Sequence, residues 1–434
     1  MRVRSTPLLA VLTALLMTAT TTAQISLRDL PELARQRAER LRPLQIAALE
    51  PFWADLSLDY RTNQAVLDET ILKASKLGDS VVPLLLEKLR PATNNSTTRD
   101  LASNCRRILC LLDPGSFVDA LTEMARGSHG TARAEAIVLL GYADVPQSAA
   151  VLSDMFETAD SWVRVLIIRS LRRLRSPTAA PKIVPMLGSS DRQMREDVLG
   201  YLIASKASSV ANTVAQALST ESDDRLLPNY IDYFACCVKQ NLIATEALLP
   251  LLNQERIDWQ DTRTLVTALA TVAPKGHEET IRKLNELIDG NDTSSLAVQA
   301  AVALKQLGDK QGVSRLKRTL SDKIRRRKRS AALYEQRASL LFATGDFSDA
   351  LSDYEKILSY SEGAAMTRRA YVGVLKCESR RKKIQNMVKH MKASGMAQED
   401  FDSLAEQDES FRKSMEHERV RSLLKQLAKD RAPK

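Results

Sequence analysis

The stretch Asp160-Ser161-Trp162-Val163-Arg164-Val165-Leu166-Ile167-Ile168-Arg169-Ser170-Leu171 carries the pattern that decides the fold. An Asp-Ser pair, whose side-chain oxygens can accept the first free backbone N–H groups of a helix, is followed by an apolar residue, an Arg and an apolar helix. The pattern returns at Thr98-Arg99, Ala132-Arg133, Met194-Arg195 and Thr262-Arg263, and with Gln in place of Arg at Val298-Gln299. From Arg99 the steps to Arg133, Arg164 and Arg195 are 34, 31 and 31 residues; Arg225 follows after 30, Arg263 after 38 and Gln299 after 36. A fixed period of this length marks a chain of supersecondary units, here about seven of them.

Each unit reads as two helices, because a second apolar segment precedes each marker: Val81 to Leu89, Phe117 to Ala125, Ala149 to Phe156, Ala179 to Leu187, Val210 to Leu218, Ala244 to Leu252 and Glu278 to Ile288. Polar turns such as Ser189-Ser190-Asp191 separate the paired helices. Pro83, Pro185 and Pro250 fall inside first helices, where a missing donor predicts a bend. Composition agrees with an all-α chain: 434 residues, 44% hydrophobic, 27% charged and only 15 Gly and 15 Pro, without long Val, Ile and Thr runs. Several small cores or one stack are expected at this length.

On these residues the chain resembles HEAT repeats, especially the short form named after phycobilisome lyases, over about Asp79 to Ser321. Val298-Gln299-Ala300-Ala301-Val302-Ala303-Leu304-Lys305-Gln306-Leu307-Gly308 is similar to that family's second helix, whereas Pro228 and Gln299 depart from its pattern. The resemblance implies an α-solenoid, a right-handed superhelix whose second helices form a concave binding face. It also implies that Arg99, Arg133, Arg164, Arg195 and Arg263 form a structural ladder between units, with Asp160 and Asp191 as expected partners.

After Arg329 the pattern changes. Tyr334, Ala338, Leu341, Gly345-Asp346-Phe347, Ala350, Tyr354 and Ile357 sit where tetratricopeptide repeats place large, small and turn residues, with Glu362 where that family usually has Pro. Ala370 to Met391 resembles a degenerate second unit. The expected organisation is a signal peptide at 1–23, a helical cap at 24–78, a HEAT-like solenoid at 79–321, a tetratricopeptide-like region at 322–395 and a helical tail at 396–434.

Arg2 and Arg4, an apolar run from Leu8 to Met17 and the small residues up to Ala23 have the form of a cleavable secretory signal; the run is about half the ~20 residues a spanning helix needs. A periplasmic, envelope or secreted location is therefore expected, the mature chain starting near Gln24. The formal net charge is +10. Lys and Arg balance Asp and Glu at 36 each from Gln24 to Ser321 and exceed them by 25 to 17 from Asp322 onward, so the basic excess is C-terminal.

The parts of a catalytic or metal centre are missing from the pattern. Cys105, Cys110, Cys236, Cys237 and Cys377 lack paired metal-site or redox spacing, and His129, His277, His390 and His417 lie in turns or charged helices with no second His at ligand spacing. With no phosphate-binding Gly loop or nucleophile elbow either, the expectation is a non-enzymatic scaffold, without metal or cofactor, that binds a protein or peptide. The alternatives are an accessory of the lyase-type family, attaching a chromophore or cofactor, and a structural envelope component. Candidate partner-binding residues are the clustered Arg169, Arg172 and Arg173, which share a helix face, and the run Arg325, Arg326, Arg327 and Arg329. These basic groups suit a partner with an acidic segment or an anionic envelope surface. An exported location and the absence of interleaved aromatic residues argue against nucleic acid.

Overall fold

A computed structural model describes residues 42–89, 95–127, 130–253, 256–290, 294–360 and 363–431. The expected signal peptide, the first part of the cap, His129 and Glu362 lie outside these residues. The fold is all-α, an α-solenoid of HEAT-like helical hairpins, and no strand occurs among the described residues. No described helix is long and apolar enough to cross a membrane. The chain divides into two compact units, one ending at Leu174 and one beginning at Arg175.

In the first unit, Ser96–Leu111, Gly130–Leu140 and Ser161–Leu174 lie side by side as one row of helices, while Val118–Gly127 packs against Pro146–Phe156 in the other. Asn104, 1% exposed, ties Ser96–Leu111 to the segment before it: its amide donates to the carbonyls of Leu56 and Leu58, each at 3.0 Å. Adjacent second helices meet closely where Gly141 faces Ser170: a Cβ on Gly141 would stand 2.6 Å from that of Ser170, and the Ser170 hydroxyl donates to the Ile137 carbonyl at 3.0 Å.

In the second unit the corresponding row is Arg192–Ser205, Leu227–Cys237, Trp259–Val272, Ser295–Gln306, Ala331–Thr344 and Ala364–Arg380, each packed on the next. Asp191 caps the first of these by accepting from the Gln193 N–H at 2.9 Å, the role its place in a polar turn predicts. The prolines behave unequally. Pro185 and Pro250 sit in 3₁₀ turns, Val184–Gly188 and Leu249–Asn253, that replace the ends of their first helices. Pro83 and Pro228 instead occupy the first turns of Val82–Lys88 and Leu227–Cys237. An N–H is unpaired there in any case, so these prolines start helices and do not bend them.

The core runs without a break past the expected boundary at Ser321: buried side chains from Val266 through Leu304, Leu320, Leu341 and Tyr354 to Cys377 form one cluster. Gly345, at φ 92°, turns Ala331–Thr344 into Phe347–Tyr360. Beyond it a smaller core of Met387, Met391, Phe401, Phe411 and Val420 joins Ile384–Ser394 to the last three helices.

Candidate functional site

Four neighbouring helices of the second unit's row, Trp259–Val272, Ser295–Gln306, Ala331–Thr344 and Ala364–Arg380, together line a groove of about 1140 Å³. Its floor is small or aliphatic at Ala270, Val298, Val302 and Ala303, and its polar groups are mostly amides and hydroxyls, among them Gln299, Gln306, Ser295 and Ser339. At one end stands Trp259, 68% exposed although it opens a helix whose opposite face is buried. Large aromatic surface is normally buried, so an exposed indole at a groove mouth is contact area available to another molecule.

The repeat explains why these residues meet. Arg263, Gln299 and Glu335 are each the fifth residue of their helix, 36 apart, and Arg369, 34 further on, is the sixth of the next. The marker position thus continues beyond Gln299 into the C-terminal helices, and all four of its side chains face the groove. Arg263 Nε donates to Gln299 Oε1 at 3.2 Å, and its guanidinium carbon stands 5.7 Å from the centre of the Trp259 ring. Arg369 and Glu335 form an ion pair at 2.7 Å. That pairing raises the Arg369 pKa, through the hydrogen bond to Glu335 and then through its charge. Arg263 has no carboxylate partner among the described residues.

The other expected ladder positions are differently employed. Arg195 grips Glu221 with two bonds, 3.0 and 3.1 Å, and also donates to the Ser189 carbonyl at 2.8 Å. Glu221 is 4% exposed and belongs to the following repeat, and the Tyr230 hydroxyl reaches it at 3.5 Å. Burial, then the Glu221 charge, push the Tyr230 pKa well up. Arg164 donates to the Phe156 and Glu157 carbonyls at 3.2 and 3.0 Å, within its own hairpin. Arg99 Nε reaches the Asn95 carbonyl at 3.4 Å, and Arg133 Nε is buried without a hydrogen-bond partner.

Neither basic cluster lines the groove. Arg169, Arg172 and Arg173 are exposed on Ser161–Leu174 in the first unit, with Arg173 4.8 Å from the centre of the Tyr142 ring. Arg325 and Arg326 end the helix Gln311–Arg326, where cations offset the negative end of the helix dipole, and Arg325 is paired with Asp322. Arg327 and Arg329 follow in the exposed turn.

Among the groove's lining residues there is no His, Cys or Asp, and Arg369 neutralises the one carboxylate. The groove offers surfaces and hydrogen bonds to a bound molecule, and no nucleophile with an adjacent base. Elsewhere the buried thiols are poor nucleophiles, since burial pushes Cys105 up to about 12.

Residues 118–203 match the family model of HEAT repeats. The stretch Asp160 to Leu171 lies inside that match, and its two-helix units have the arrangement described above. No curated protein matches the chain. HEAT repeats commonly serve as protein-interaction scaffolds, using the surfaces that a stack of hairpins provides.

Proposed function

We propose that this protein is an exported, non-enzymatic repeat scaffold whose binding site for a protein or peptide is the groove lined by Trp259, Gln299, Glu335 and Arg369. The observation that carries the proposal is the groove itself. Four adjacent helices of one row contribute to it, and it combines an apolar floor with amides, hydroxyls and an exposed indole. Tetratricopeptide-like hairpins from Tyr334 to Met391 would supply its far wall. An acidic partner would be drawn by the basic excess of the C-terminal part, an attraction that fades as the Debye length falls from about 30 Å at 0.01 M salt to about 3 Å at 1 M. Export rests on the residues before Gln24, and N-terminal sequencing of protein recovered from outside the cytosol tests it; an uncleaved cytosolic chain would contradict it.

The binding site is tested by filling the groove. Ala343 is exposed on its wall, so Ala343→Arg adds bulk without disturbing the core. Partners captured by the wild-type chain from an envelope or culture-medium extract are expected to be lost from Ala343→Arg at an unchanged melting temperature. Equal capture by both chains would place the interaction elsewhere.

A further inference from the structure

We propose that Arg263 and Trp259 form a carboxylate-reading pocket at one end of the groove, which selects an extended peptide segment carrying an Asp or Glu side chain beside an aromatic or aliphatic one. The inference rests on the groove being the binding site and adds what it reads. Many arginines of the second unit are held by carboxylates, among them the part-buried Arg195 by Glu221 and Arg337 by Asp353, and, in the groove itself, Arg369 by Glu335. Arg263 is partly buried and faces the groove, but its bonding partner is the neutral amide of Gln299. That bond uses Nε and fixes the plane of the guanidinium, leaving both terminal nitrogens to take the two oxygens of an incoming carboxylate. Since Glu335 and Arg369 cancel, Arg263 leaves the groove one positive charge in excess, which an acidic side chain would neutralise.

The remaining surface indicates what accompanies the carboxylate. The Trp259 ring lies beside the guanidinium and is exposed, so the residue next to the acid meets an aromatic face. Beyond it the wall presents the side-chain amides of Gln299 and Gln306 and the hydroxyls of Ser295 and Ser339. These pair with backbone N–H and C=O groups, which an extended segment leaves open and a helix consumes internally. Helices packed about 10 Å apart give a path of roughly 30 Å across the four, enough for about nine extended residues.

The test uses random dodecapeptides displayed on phage, selected on the full chain, and the best of them made synthetically. Selected peptides are expected to share an Asp or Glu next to a large apolar residue and to be competed by one another. Arg263→Gln is expected to weaken them by about 10- to 100-fold, the loss of a hydrogen-bonded charge pair. Changing the peptide's acid to its amide should weaken wild-type binding equally and leave Arg263→Gln unaffected. Trp259→Ala, at an exposed position, is expected to fold normally and to lose preference for the apolar neighbour. Peptides that bind in the groove, as judged by loss with Ala343→Arg, but carry no acid or ignore Arg263→Gln would overturn the carboxylate pocket alone. Failure to select any peptide sensitive to Ala343→Arg would overturn the groove as well.

Discussion

The repeat at Arg195 and the repeat at Arg263 begin alike, with an arginine in the first turns of a second helix, and use it in opposite ways. Arg195 is 12% exposed and closed onto Glu221 of the following repeat. At Arg263 the following repeat offers Gln299, and the charge is left facing a groove. The periodic position therefore fixes where an arginine stands, while the partner that the following repeat brings to it, a carboxylate for Arg195 and an amide for Arg263, decides whether it holds the stack together or meets a ligand. A buried pair that is broken leaves a stranded charge, whereas a charge beside an open groove can be removed at little cost to the fold.

The largest effect should come from breaking the closed region. Arg195→Met leaves Glu221, 4% exposed, without its cation and is expected to cost about 3–5 kcal/mol in urea unfolding. The double variant Arg195→Met, Glu221→Gln should recover most of the loss; no recovery would mean that the pair is not the source.

Overpacking comes next. A Cβ on Gly373 would lie 2.5 Å from the Tyr354 ring, so Gly373→Ala is expected to cost about 1–3 kcal/mol and to loosen the far wall of the groove. Stability equal to wild type would show that the ring moves aside freely. Arg164→Ala removes donors from the Phe156 and Glu157 carbonyls and is expected to cost about 1–3 kcal/mol, read by thermal melting, without changing partner binding.

The smallest effect depends on pH. Glu135 has its pKa raised by burial, which outweighs the opposing charge of Arg106; its carboxylate lies 3.3 Å from Arg106 Nε without hydrogen-bond alignment. A carboxyl whose folded pKa is raised is best tolerated when protonated. Its stability contribution is full below the ordinary carboxylate range and is lost as pH rises through the folded value. Glu135→Gln is therefore expected to stabilise the first unit by less than about 1 kcal/mol at pH 7 and not at pH 3. Destabilisation at pH 7 would show that the ion pair outweighs burial.

The helical pairs were legible because a buried stripe repeats at a fixed interval, and Asp191 was legible as a cap because its role is local. Pro83 and Pro228 were misleading for a related reason: a proline read against an apolar run looks like an interruption, and only the helix start shows it in a first turn. The groove was harder to see. Its residues are a whole repeat apart, and beyond Gln299 no apolar–Arg pair of the earlier kind marks the position. Glu335 and Arg369 continue it in a segment whose sequence resembles another repeat family, so the change of motif hid the continuity of position. Trp259 was a usable signal, a large aromatic four residues before a marker arginine, in a chain with 3 Trp. The basic run Arg325 to Arg329 drew attention through its charge density, yet part of it ends a helix and Arg325 is already paired.

The most direct test of the contrast is a paired measurement on wild type, Arg195→Met and Arg263→Gln: urea unfolding, and titration with a selected acidic peptide at a temperature where all three are folded. Arg195→Met should lose stability and keep its affinity, while Arg263→Gln should keep its stability and lose about 10- to 100-fold in affinity. Arg263→Gln unfolding as readily as Arg195→Met, with the affinity of its folded fraction intact, would contradict the account and make both arginines structural.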